Sequence, residues 1–341
     1  VKSTPKTMKK DILRGIRTAL LELGSATIVE LSDRLGISFP TISKFLLQME
    51  KDGELLLMGL DDSSGGRRAK RYIYNPEYRL GLAIFLERTE TNYIVFNCIG
   101  EIKDAGKTPG VLEDVDLTLL TNCIQEIMKQ YPKISSIAIG VPGAVKNGQI
   151  IYIPDYEHLQ NFDLKGFLEN RFSISVVLEN DMNAAVLGYH DRHEKKKDKS
   201  LIYLYSGQNG PGAGIMVNGV VVRGSTHFSG EVSFVPQYDD RNFRQALENG
   251  NNPKKAIICE EYEIDAFSRL IASFAAIINP HKVIFCHDEV EKEIIEKIAI
   301  CSSKYIPAEH LPELTTSDWK QDYLYGLQSL GFDLMMDGTS R

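Results

Sequence analysis

Glu179-Asn-Asp-Met-Asn-Ala-Ala185 closes a β-rich run, Ser175 to Glu179, and opens a segment of helical character, Asn180 to His190. A carboxylate at the end of a parallel strand, beside a helix N-terminus, sits where ligands bind in α/β sheets. Its two oxygens can accept hydrogen bonds from vicinal hydroxyls. Taken alone, Asn180-Asp181 reads first as a helix cap followed by a first-turn carboxylate, so the surroundings have to decide.

Those surroundings alternate in the same way. From Tyr78 onward, short β-rich runs exchange with helical segments, as in α/β domains. Leu82 to Phe85 and Tyr93 to Cys98 read as paired strands, Asp116 to Tyr131 as a helix, Ile134 to Val141 as a strand ending at Pro142-Gly143, and Phe162 to Arg171 as a helix. Further on, Ile264 to Ile278 is a long apolar helix and Val283 to Cys286 a buried strand. Ala275-Ala276 suits close helix packing, in the core first and at a dimer interface second. The charge run His193-Glu-Lys-Lys-Lys-Asp-Lys199 reads as a surface loop between lobes, and no internal repeat is evident.

Upstream of Tyr78 the chain changes character. The net charge is −7, yet residues 1–75 hold 13 Lys and Arg against 9 Asp and Glu, while the remainder holds 26 against 37. A local basic surface suits a phosphate backbone, and also suits ordinary solvation. Met8 to Leu23 places Ile12, Ile16, Ala19, Leu20 and Leu23 on one helical stripe. Thr27 is positioned to cap a second helix with Glu30 as its capping-box partner, Ile28, Leu31 and Leu35 supply the buried stripe, and Gly36 stops it. Ser38 opens a third helix with Pro40 in its first turn. There Ile42, Phe45, Leu46 and Met49 face the core, leaving Thr41, Ser43, Lys44 and Gln48 able to reach phosphates and base edges. A three-helix bundle with a polar face would look similar. Glu54 to Leu60 then reads as a strand, Asp61 to Gly66 as a turn, and Arg67-Arg-Ala-Lys-Arg71 leads into a second strand, Tyr72 to Tyr74. Four cations in five residues repel one another unless an anion is near, so this hairpin reads as a wing ahead of a solvated loop.

Gly36-Ile-Ser-Phe-Pro-Thr-Ile-Ser-Lys44, Ser64-Gly-Gly-Arg-Arg68 and Asn75-Pro76 resemble the DNA-binding half of the ROK family, and Glu179 to Ala185 resembles its core motif. Gly140-Val-Pro-Gly143, Gly210-Pro-Gly-Ala-Gly214 and Arg223-Gly-Ser-Thr-His-Phe-Ser-Gly-Glu231 follow in family order, so the likeness spans nearly the whole chain. It implies an α/β protein with an N-terminal winged helix-turn-helix (1–77) and a two-lobed actin-like ATPase/sugar-kinase (ribonuclease H-like) fold. The first lobe is expected over 78–190, completed by 318–341 through a segment, Tyr323 to Met335, that returns to it, and the second over 191–317. It assigns sugar contacts to Asn180, Asp181, Glu231, Asp155 and Glu261. DNA contacts are expected from Ser38, Thr41, Ser43, Lys44, Gln48, Arg67, Arg68, Lys70 and Arg71.

The same resemblance exposes departures. Counting back from Gly100-Glu-Ile102, the family's phosphate loop, Asp-x-Gly-Gly-Thr, falls on Phe85, Glu87, Arg88 and Thr89, and only the threonine remains. Gln208-Asn209 replace Gly-Thr in the second phosphate loop. Phe234 stands where a zinc-binding histidine is usual, and Cys259 alone matches the cysteine cluster, too few ligands for a structural site. The implied protein is a regulator, a repressor by the family's usual logic, with no cofactor and no catalytic residue. Its expected partners are operator DNA and a sugar or sugar derivative, and it is expected to be a homodimer or tetramer. A hexose or N-acetylhexosamine kinase, and a regulator governed by a protein partner, are the alternatives. The five scattered cysteines, none spaced as CxxC, and the lack of an 18-residue apolar run or signal peptide suit a cytoplasmic protein.

Overall fold

A computed structural model describes residues 5–60, 69–153, 155–194, 196, 198–207, 210–238, 240–248 and 257–337. The N-terminal unit contains α1 (Pro5–Leu23), β1 (Ala26–Thr27), α2 (Ile28–Leu35), α3 (Phe39–Lys51), β2 (Leu55–Leu60) and β3 (Lys70–Tyr74). Thr27 caps α2 through the expected capping box with Glu30, and Gly36 ends it in the left-handed conformation at φ 63°. Ile42, Leu46 and Met49 of α3 are fully buried against Ile16, Leu20 and Leu31, and Phe45 packs at the edge of this core. β2 and β3 form an antiparallel pair, with β1 adding on the far side of β3.

The first lobe follows as β4 (Leu80–Leu86), β5 (Glu90–Asn97), β6 (Ile102–Pro109), α4 (Thr118–Gln130), β7 (Ile134–Val141), β8 (Ala144–Lys146), β9 (Gln149–Tyr152), α5 (Leu164–Phe172), β10 (Ser175–Asn180) and α6 (Asp181–His193). Its five-stranded sheet runs β10-β7-β4-β5-β6, an antiparallel meander extended by two parallel strands. Central β4 is buried at every position, so it reads as continuous apolar sequence rather than alternation.

The second lobe contains β11 (Leu201–Tyr205), β12 (Gly212–Val217), β13 (Val220–Val221), α7 (Phe243–Leu247), α8 (Glu261–Ile277), β14 (Lys282–Cys286), α9 (Lys292–Ser302) and β15 (Glu313–Ser317). Its sheet runs β13-β12-β11-β14-β15, again a meander flanked by two parallel strands. The two lobes therefore repeat one topology, a repetition with no visible counterpart in the residues.

The final helix, α10 (Trp319–Asp337), crosses back onto β4, β7 and β10 and packs along α6. The helix pair is unusually close. A Cβ on Gly188 would lie 1.8 Å from the Asp322 carbonyl oxygen, and one on Gly326 would lie 1.9 Å from that of Ala184, so neither position admits a side chain. Asp322, fully buried, accepts hydrogen bonds from Arg192 of α6 at 2.9 Å and Tyr203 of β11 at 3.1 Å, tying both lobes to α10.

The other end of α10 meets α1. Lys10 pairs with Asp337 at 3.0 Å, and Arg14 pairs with Asp333 and Asp337. Beneath them Arg17, 1% exposed, donates to Glu54 at 2.6 Å and to the Met336 carbonyl at 2.7 Å. Tyr74 Oη donates to the same Glu54 at 3.1 Å. The N-terminal unit is thereby joined to the end of α10 by a buried, charged contact.

Candidate functional site

Between the lobes lies a cleft of about 430 Å³, lined by the turn after β4, the β10–α6 junction, the turn after β11 and the start of α10. Asn180 is both the helix cap and a wall of the cleft. Its side-chain oxygen accepts from Asn183 N–H at 3.0 Å, and its amide donates to the Gly143 carbonyl at 3.1 Å and to Asp181 Oδ1 at 2.9 Å. Asp181 Oδ1 also accepts the Met182 N–H at 2.8 Å, leaving Oδ2 with no hydrogen-bond partner among the described residues. Burial pushes the Asp181 carboxyl up to about 7, and the nearby Glu231 charge adds to this, against the lowering effect of the Met182 N–H. Glu231, also in the cleft lining, is raised by burial.

Two expected ligand residues lie elsewhere. Asp155 stands at the rim in a left-handed conformation, its carboxylate 62% exposed and 3.7 Å from Arg88. It is not part of the cleft wall. Glu261 is exposed in the first turn of α8, where Glu260 and Glu263 form the capping box, and it too lies outside the lining.

In their place the fold brings in residues that sequence order does not reveal. Arg223 pairs with Glu179, which also accepts from Asn183 Nδ2 at 3.1 Å, so the β10–α6 junction is braced from the second lobe. Trp319 stacks on Tyr205 with ring centroids 4.2 Å apart and planes 13° from parallel. Both line the cleft, as does His227, and Trp319 Nε1 and His227 Nδ1 are buried without hydrogen-bond partners among the described residues.

The end of β4 is packed, and the turn that follows it lines the cleft. Phe85 is buried against Tyr323, ring centroids 5.2 Å apart. Glu87 and Arg88 line the cleft, and Lys320 lies 3.5 Å from Glu87 and 3.1 Å from Glu90. Burial raises the Glu87 carboxyl, whereas hydrogen bonds from Asn92 and Lys320 hold Glu90 at about 2. Carboxylates and a tethered ammonium thus occupy this corner. Phe234, in the cleft lining, packs on Phe228 with ring centroids 5.3 Å apart, and Cys259 is exposed.

On the N-terminal unit, α3 presents a continuous outer face of Phe39, Pro40, Ser43, Lys44, Leu47, Gln48 and Lys51. Thr41 is half-buried, with its hydroxyl 2.9 Å from that of Ser38, and Gln48 donates to Asp52 at 2.7 Å. Lys70 lies 3.6 Å from Glu50. Arg71 is turned inward, donating to Glu30 at 2.9 Å and towards Ser25, so it braces β3 against α2. Arg67 and Arg68 lie outside the described residues.

Two lobes of matching topology closing on a cleft lined with carboxylates and amides define a sugar-kinase-like α/β protein. Residues 82–240 match the model of the ROK family. A xylose repressor from Caldicellulosiruptor bescii is 30% identical over 212 residues, covering 60% of this chain and 53% of the repressor. The chain spans about half the length of the curated relatives it matches. A solved ROK family transcriptional regulator, a homologue of the E. coli MLC protein, aligns over 96% of this chain and 98% of its own with TM-score 0.72 and 20% identity. A ROK hexokinase from Thermus thermophilus aligns over 76% of this chain and 100% of its own with TM-score 0.60 and 18% identity. Among the described residues no helix is long and apolar enough to cross a membrane.

Proposed function

We propose that the chain is a sugar-responsive transcriptional repressor, with residues 1–77 acting as a winged helix-turn-helix on operator DNA and the interlobe cleft receiving the sugar. The observation that carries this reading is the Asp181–Glu231 pair, two desolvated carboxylates in one cleft whose lining also carries Glu87, Arg88 and Lys320 where a phosphate loop would need glycines. Such a cleft suits a neutral polyol and disfavours phosphate, so Asp181 serves as a hydroxyl acceptor and not as a base. Relatives named xylose repressors support the regulatory side of the reading. The cleft is read as free of zinc and nucleotide. Phe234 offers no ligand atom, and the candidate cluster Cys286, His287 and Asp288 lies at the end of β14, with its thiol pushed up to about 11 by burial.

In this account two copies place α3 in successive major-groove half-sites, and sugar binding alters lobe closure and hence their spacing. A coupling of about 1–3 kcal/mol would loosen DNA about 5–150-fold. Thermal melting against a panel of pentoses, hexoses, aminosugars, phosphosugars and Mg-ATP is the direct test, since a ligand of the folded state raises the midpoint. A rise with one neutral sugar and none with Mg-ATP is expected. A rise with Mg-ATP accompanied by ADP release over a sugar panel would replace the regulator by a kinase.

The wing is tested separately. Arg67→Ala with Arg68→Ala is expected to weaken DNA in gel-shift titration and to flatten the salt dependence by about two units of slope, one per lost phosphate contact. Unchanged affinity and slope would remove the wing from the account.

A further inference from the structure

The turn after β11 mirrors, in the second lobe, the turn after β4 in the first, because both sheets share one strand order. Each turn opens on the cleft, with Glu87 to Glu90 on one side and Gly207 and Gly210 on the other. The second turn directs consecutive backbone N–H groups at a single point, and that point is occupied. Ser206 N–H donates to both oxygens of Glu289, at 3.1 and 2.8 Å, and Gly207 N–H donates to the first of them at 3.0 Å.

Successive N–H groups converging in a turn form a concavity for an anion. The occupying carboxylate does not come from the turn. It is delivered from the loop after β14, where the Glu289 N–H donates to the Cys286 carbonyl at 3.0 Å and the Glu289 carbonyl accepts the Ile258 N–H at 2.7 Å. Glu289 is therefore held at its backbone from two directions while its charged end satisfies the turn.

We propose that Glu289 is an internal oxyanion that fills an anion site formed by the turn after β11, whose Gly207 lines the cleft, and so restricts the cleft to uncharged sugars by denying phosphate its N–H donors. The inference rests on the cleft being a sugar site, and it names the class of sugar. Phosphate is refused by a carboxylate already seated on the N–H pair. A charged oxygen accepting two or three N–H bonds is a strong acceptor, so an external phosphate has to break those bonds before it can take its place.

The test is isothermal titration of the full chain with inorganic phosphate, and then with pyrophosphate, in wild type, Glu289→Ala and Glu289→Gln. Wild type is expected to show no phosphate binding. Glu289→Ala is expected to bind phosphate at least about tenfold more tightly than wild type, with the Ser206 and Gly207 amide signals shifting as phosphate is added. If the alanine variant does not fold, the glutamine variant decides, because its neutral amide oxygen is a weaker acceptor than the carboxylate and yields the N–H groups to phosphate more readily, with a smaller gain in affinity. A folded variant with no gain in phosphate affinity, or a wild type that binds phosphate equally well, would overturn the assignment. Neutral-sugar stabilisation is followed in the same samples. Its absence from wild type would sink the sugar-sensor reading while leaving the phosphate comparison to judge Glu289.

Discussion

Arg17→Met is expected to lower the unfolding free energy by about 3–5 kcal/mol, the largest stability effect of any single substitution considered for the N-terminal unit. The guanidinium and Glu54 are both buried, so truncating one partner strands the other charge in a medium that cannot solvate it. The damage extends across two units, because Arg17 also satisfies the Met336 carbonyl at the end of α10. The partly exposed pairs above it, Lys10–Asp337 and Arg14–Asp333, are each worth at most about 1 kcal/mol and cannot compensate. Urea unfolding should show the lowered midpoint, and limited proteolysis should release the N-terminal unit faster. The double variant Arg17→Met with Glu54→Leu is expected to recover much of the loss, since no lone charge remains. A single variant within about 1 kcal/mol of wild type would show that Glu54 finds other solvation and that the joint does not depend on the pair.

That joint gives the proposed signal a physical route. α6 begins at Asp181 in the cleft, packs on α10 through Gly188 and Gly326 without intervening side chains, and α10 ends against α1. Elements in backbone contact cannot deform independently, so a shift of the β10–α6 junction is passed on as a rigid displacement.

What was legible in the sequence was local. The Thr27–Glu30 capping box, the left-handed Gly36 and the buried stripe of α3 each depend on residues within one or two turns, and they appear where spacing placed them. Asn180 as cap and Asp181 in the cleft follow from the same short range. Contacts between distant residues were not legible. Arg17 meets Glu54 and Met336, Arg223 meets Glu179, and Glu289 meets Ser206, and no periodicity couples such positions. The polar edge strand Ile102–Pro109 is not legible in the sequence because an edge with one solvated face needs little apolar alternation. The matching strand orders of the two lobes leave no trace in the sequence, since hydrogen-bond topology is kept by patterns far looser than residue identity. Asp155 and Glu261 were placed by motif order across loops, and in such loops order does not fix direction.

Asp181→Asn is expected to weaken sugar binding by about 30–1000-fold, the loss of about 2–4 kcal/mol that follows when a charged acceptor of ligand hydroxyls becomes neutral. The substitution keeps an oxygen for the Met182 N–H, so the fold should survive. Proton linkage gives an independent signature. The folded carboxyl titrates near 7 instead of its ordinary 3.8, so between those limits the folded chain binds more protons than the unfolded one. This group's contribution to stability of the ligand-free protein therefore falls as pH rises from about 4 to about 7 and is constant above. Sugar affinity has the opposite slope, because the ligand needs the carboxylate: about tenfold weaker at pH 6 than at pH 8, and flat in the asparagine variant. Titrations from about pH 5.5 to 8.5, with melting of the ligand-free protein alongside, separate the two effects. Were wild-type affinity independent of pH and equal to that of the variant, Asp181 would be a helix-capping carboxylate only, and hydroxyl recognition would pass to Glu231 and the unpartnered His227 and Trp319 nitrogens.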